Sequence, residues 1–194
     1  MKMLSLIIAF LLLTLSACNH SIQPEDSTPK NVWSLDKEGN ILLSVTSDGT
    51  TGPEWISSIK KKGFVVDGYL RGILLSPDFE TTNGITTRLV AIKGDVFTDK
   101  ERTTKNIMTR AEEYGWQAPN AEVACLLHLT LSDEDIKKMG ILYLVTMHYP
   151  IYAYDRPCLL ALAHSDYGQS FYFYSLALYG NEWSDHGAFL FALP

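Results

Sequence analysis

Cysteine is scarce in this chain and basic charge is outnumbered. Three cysteines in 194 residues exclude a disulfide-dense small scaffold. Sixteen Lys and Arg against twenty-two Asp and Glu leave a net charge of −6. A chain of that sign lacks the attraction behind sequence-independent binding to nucleic acid. It is no polybasic membrane-surface module either. Its only basic cluster, Lys60-Lys61-Lys62, closes a predicted helix, where cations oppose the negative end of the dipole. No apolar run reaches the roughly 20 residues that a helix needs to cross a bilayer. The glycine signatures of nucleotide sites are missing too: there is no Gly-Lys-Ser/Thr and no Gly-x-Gly-x-x-Gly. Cys125 and His128 are three apart, but zinc takes three or four such ligands and no second paired spacing exists. No cofactor and no metal are therefore expected.

What is present begins at the N-terminus. Lys2 gives a positive start, residues 4–15 are almost wholly apolar, and Leu15-Ser16-Ala17-Cys18 follows. This is a secretory signal with small residues just before a cysteine. The Leu-Ser-Ala-Cys string resembles the bacterial lipoprotein cleavage box, in which the cysteine is acylated and becomes the new N-terminus. That resemblance implies lipidation at Cys18 and a membrane partner reached through the anchor. Each buried methylene contributes about 0.8 kcal/mol, and two or more chains hold stably where one does not. Residue 19 is Asn rather than the Asp that resembles an inner-membrane retention signal. The resemblance thus implies the outer membrane if the host has two. An ordinary cleaved signal and a freely secreted protein is the alternative. Processing removes Lys2 and no acid, so fifteen cations then face twenty-two acids, a charge of −7.

Three regions are expected: a signal peptide at 1–17, a lipidated Cys18 with a flexible tether to residue 31, and a globular domain at 32–194. The tether is rich in Ser, Pro and charge, with Ile22 its one large apolar residue, too little to offset the entropy of ordering. In the domain, 41–46 reads as a strand, 47–52 as a loop, and Pro53 opens a helix that Gly63 stops. Asp67 caps a short helix carrying Leu70, Ile73 and Leu74. Residues 86–96 read as a strand, and Thr98-Asp99-Lys100-Glu101 as a capping box for a helix to about Tyr114. Residues 121–130 read as a buried helix, although 125–131 also alternates like a strand. Ser132 caps a last helix that Gly140 ends. Four strands follow, at 141–148, 158–164, 170–178 and 187–193. Helices early and strands late predict a single α+β domain. Its antiparallel sheet should have five to six strands, with four to five helices packed mainly on one side.

Candidate sites are few. Cys125, Cys158 and His148 could form a thiol–imidazole pair, because a cysteine nucleophile needs an imidazole to hold the thiolate. A cysteine on a helix over a sheet, with histidine on a following strand, is loosely similar to papain-like cell-wall hydrolases such as the NlpC/P60 group. That similarity implies peptide or amide bond hydrolysis, with Cys125 or Cys158 as nucleophile and His148 as base. In that group, however, the cysteine opens its helix, whereas Cys125 lies inside Val123-Ala124-Cys125-Leu126-Leu127. Two buried thiols or a Cys125–Cys158 disulfide are the structural alternatives. Asp48, Gly49, Thr50 and Thr51 precede a helix N-terminus, where backbone N–H groups can bind an anion; a tight turn with a cap explains them equally. Arg102, Lys105 and Asn106 could serve the same anion. Tyr172 and Tyr174 could present an exposed row to a glycan or protein. A non-catalytic domain binding an envelope protein or polymer, with no nucleic acid, is the first expectation. A thiol hydrolase is the alternative.

Overall fold

Alternation in 41–46 sends Ile41, Leu43 and Val45 to one side and Leu42, Ser44 and Thr46 to the other, and the strand forms accordingly. The computed structural model describes residues 32–165, 168–175 and 182–194. Within it β1 (Trp33–Leu35), β2 (Ile41–Asp48) and β3 (Asn83–Lys93) form an antiparallel meander. Helices α1 (Gly52–Lys61) and α2 (Gly68–Leu74) lie between β2 and β3. Next come α3 (Thr104–Glu113), α4 (Glu122–Thr130) and α5 (Asp133–Met139), then β4 (Tyr143–Thr146), β5 (Ile151–Ala153), β6 (Arg156–Ser165), β7 (Gly168–Ser175) and β8 (Gly187–Ala192). The last strand inserts at the centre, antiparallel to β3 and parallel to β4, and joins the two halves into one eight-stranded sheet.

The α+β architecture on a single sheet is as expected. The sheet is larger than five to six strands, and the β4–β8 pair makes it mixed rather than wholly antiparallel. Both faces are covered. Helices α1, α2, α4 and α5 bury Trp55, Ile73, Leu127 and Ile136 against Ile41, Leu89, Leu190 and Leu160. Helix α3 lays Ile107 and Ala111 on the other face, against Val90, Phe189 and Leu159. Strand β8 is buried on both faces and therefore reads as the unbroken apolar run Ala188-Phe189-Leu190-Phe191.

Two elements end differently from the sequence expectation. The capping box at Thr98 and Glu101 exists, but it caps only the 3₁₀ turn Asp99–Glu101. The backbone at Arg102 and Thr103 is taken by the 182–183 segment: Trp183 N donates to Arg102 O at 2.7 Å, and Thr103 pairs with Glu182. Helix α3 starts afresh, with Thr103 accepting from Asn106 N. The second difference is at 141–148. Val145 pairs with Ala161 and Ile151 with Cys158. Five residues thus lie between the paired positions on one side and two on the other, so three are looped out between β4 and β5. His148 sits in that break.

The leader with Cys18, the tether, the side chains of His164, Tyr172 and Tyr174, and Tyr179 lie outside the described residues.

Candidate functional site: a crevice beside Tyr149

Cys125 and Cys158 are both free thiols and both fully buried, so the disulfide alternative is set aside. Burial, and then the charge of Glu122, push the Cys125 thiol far above its ordinary range. Burial also raises Cys158, whose Sγ donates to Arg156 O at 3.4 Å. Neither is poised as a thiolate. His148 is engaged on both nitrogens. Its Nε2 accepts the Leu160 N–H at 3.0 Å, which leaves the proton on Nδ1, 2.7 Å from the Tyr149 carbonyl it donates to. The ring takes the place of a strand carbonyl where β4 breaks off. Burial lowers its pKa to about 4. His148 therefore holds the strand break together and has no free nitrogen to act as a base. His128, 2 % exposed, packs edge-on against Phe64 at 4.6 Å. Among the described residues no three His, Cys, Asp or Glu side chains are grouped to hold a metal ion.

The proposed anion residues are also occupied. Asp48 Oδ1 accepts from Thr50 N at 3.0 Å and from Thr50 Oγ1 at 2.6 Å, and these bonds hold its carboxyl below the usual range. Thr51 N and Oγ1 both donate to Glu54 Oε2, at 2.8 and 2.7 Å. The Glu54 carboxylate thus already sits where an anion would. Gly52 is required by packing: a Cβ there would lie 1.7 Å from Leu74 O. Arg102 is buried and donates to the carbonyls of Gly94, Trp183 and Phe97 and to Asp99 Oδ1, at 2.9 to 3.1 Å. It clamps a chain crossing and is not aimed at solvent. Asn106 Nδ2 donates to Glu101 O at 3.1 Å, and Lys105 is exposed. No hydrogen bond or ion pair joins these residues to the 48–51 turn.

The break after β4 has a second consequence. Strands β4 and β8 run parallel up to a last bond from Met147 N to Leu190 O at 3.0 Å, and beyond it the looped-out 148–150 no longer follows β8. The gap is filled from elsewhere. Gly115, at φ +72°, ends α3, and Trp116 N caps it by donating to Ala111 O at 2.9 Å. Gln117 then pairs with Ala192 through bonds of 2.9 and 2.8 Å. Asn120 Oδ1 accepts Glu122 N at 3.2 Å at the start of α4. The buried Glu122 carboxylate accepts both Thr82 N, at 2.9 Å, and Thr82 Oγ1, tying the 78–82 loop to α4.

Residues from 78–80, 108–121 and 148–151, with Phe191 of β8, thus border a crevice at the carboxyl ends of the parallel pair, the position where open sheets leave room for ligands. It has two hollows. One, of about 320 Å³, is lined by Asp78, Glu80, Asn120, His148, Tyr149 and Ile151 among others. The other, of about 400 Å³, is lined by Met108, Glu112, Trp116, Gln117, Tyr149 and Phe191 with Ala111 and Ala118. Ala118 and Tyr149 border both. Tyr149 is 77 % exposed. Among the described residues, the side chains of Asp78, Glu80, Glu112 and Gln117 make no hydrogen bond or ion pair. Trp116 stacks on Tyr114 with ring centres 4.8 Å apart and meets Phe191 at 6.2 Å. Residue-type scanning missed this site. The only local signals were Gly115-Trp116 and Tyr149-Pro150, aromatics set in loops.

Compared with known proteins, the chain matches no family model, no curated protein and no solved structure.

Proposed function

We propose that this chain is a lipid-anchored bacterial envelope protein that binds a protein or envelope polymer, without catalysis, in the crevice beside Tyr149. The anchor half of that reading rests on the Leu-Ser-Ala-Cys box and the apolar leader. The binding half is carried by one observation: a two-lobed crevice at the carboxyl ends of β4 and β8 whose rim carboxylates and amide bond to nothing among the described residues. Aromatic area beside polar groups is the usual make-up of a recognition surface. The thiol-hydrolase alternative is disfavoured by two buried thiols and a histidine engaged on both sides.

Two experiments test this. A photo-crosslinking residue in place of Tyr149, expressed in the native cells, should capture an envelope component that the same residue in place of Glu134 on α5 does not. Equal capture at both positions, or none at 149, refutes the binding role. Iodoacetamide at neutral pH should leave Cys125 and Cys158 unlabelled in the folded protein; fast labelling of either would restore the hydrolase.

A further inference from the structure

Resting on the binding role proposed above, we infer that the crevice takes an extended peptide segment bearing lysine or arginine, laid across Tyr149. Three carboxylates, Asp78, Glu80 and Glu112, lie on its rim, and among the described residues no Lys or Arg lines either hollow. The chain as a whole is acidic. Phosphorylated, nucleic-acid and anionic-glycan ligands are repelled by such a surface. A neutral sugar could stack on the aromatics but would leave the rim charge without a counterpart. A basic side chain uses both features. Its aliphatic stem covers ring surface, and its charged head reaches carboxylates or the face of Tyr149 or Trp116. The two hollows also suit an extended chain. Side chains two apart on one face of a strand are separated by roughly 6.7 Å. The hollows share Tyr149 and Ala118 as a common border, so the inferred segment places one such side chain in each. The rim carboxylates are exposed, so salt should weaken binding, since charges are screened over about 10 Å at 0.1 M.

The test uses the full chain in neutral detergent micelles and a fluorescein-labelled, end-blocked Ala-Lys-Ala-Lys-Ala peptide. The lysine peptide should bind, and acetylating both lysines should weaken it by at least about tenfold. The double substitution Asp78→Asn with Glu80→Gln should weaken binding about three- to tenfold, and Tyr149→Ala about as much. Glu80→Lys should weaken it further still. Glu134→Gln, which removes an exposed charge on α5, should leave it unchanged. An unchanged melting temperature for each variant shows that the fold is intact. Equal binding of the acetylated peptide overturns the inference. So does an effect of Glu134→Gln as large as that of the crevice variants, because attraction is then general. Binding of a neutral N-acetylglucosamine tetramer in place of the lysine peptide also overturns it. If the lysine peptide fails while the crosslinker at 149 still captures its partner, the basic-peptide inference falls and the binding role stands. If both are silent, both fall.

Discussion

The 47–52 turn and the crevice beside Tyr149 are both polar connections at strand ends, and they treat their polar groups in opposite ways. In the turn, Asp48, Thr50, Thr51 and Glu54 bond to one another, and Gly52 lets α1 start against the carbonyl of Leu74. In the crevice, Glu122 and His148 use their polar atoms to hold three distant segments in place, while the side chains of Asp78, Glu80, Glu112 and Gln117 use none of theirs among the described residues. Glycine, threonine and aspartate before a helix are therefore a poor guide to function when their bonds close locally. A better guide is a rim whose groups stay unspent while the groups behind it are fully bonded.

The largest expected effect breaks the turn. Gly52→Ala puts a methyl 1.7 Å from a backbone oxygen. Either α1 or α2 must then shift, at a cost above about 3 kcal/mol. Urea unfolding should show it, and an unchanged midpoint would mean that the two helices separate easily.

The next largest effect reads the bonded groups behind the crevice through pH. His148 has a folded pKa of about 4, against about 6.5 in an unfolded chain. Above pH 6.5 the ring is neutral in both states. As pH falls from 6.5 towards 4, the unfolded chain takes up a proton that the folded ring refuses, so stability is lost across that window and levels off below it. The ceiling is about 3 kcal/mol. His128, also held at about 4 by burial, adds loss in the same window. His148→Gln keeps an acceptor for Leu160 N–H and removes the titration. Its stability should fall less steeply between pH 6.5 and 4.5; a parallel slope would mean that the ring is already protonated or exposed.

Smaller effects sharpen the contrast. Thr51→Ala removes the hydroxyl bond to Glu54 from the cap of α1 and leaves the backbone one; it should cost about 1 kcal/mol, read from the same urea curves. The hairpin between β5 and β6 turns through Tyr154 and Asp155, both at positive φ (51° and 58°), where glycine is the usual residue. Tyr154 is held by an edge-on contact with Tyr69 at 5.1 Å. Asp155→Gly should therefore stabilise by about 0.5–1 kcal/mol. In the crevice, Tyr149→Ala and Glu80→Gln should change stability by less than about 0.5 kcal/mol. Loss of binding with the fold untouched separates a working surface from a structural one.

Elements whose causes are local were legible in the sequence. Strand β2 follows from its alternation, α1 from Pro53 and its cap, and α5 from Ser132 and Gly140. What depends on partners distant in sequence was not. Val145-Thr146-Met147-His148 alternates as well as any strand, and only its register against β6 reveals the break. Arg102 reads as a surface cation until three carbonyls from 94, 97 and 183 close around it. Strand β8 reads as one more antiparallel strand, yet it inserts beside β4 in parallel. The crevice draws on 78–80, 108–121, 148–151 and Phe191, and no window of the sequence contains them all.

Backbone-amide chemical-shift mapping during titration with the lysine peptide tests the central claim most directly. The largest shifts should fall on Trp116, Gln117, Asn120 and Tyr149, with none at residues 48–54. Shifts centred on the 48–54 turn, or spread evenly over the acidic surface, would contradict it.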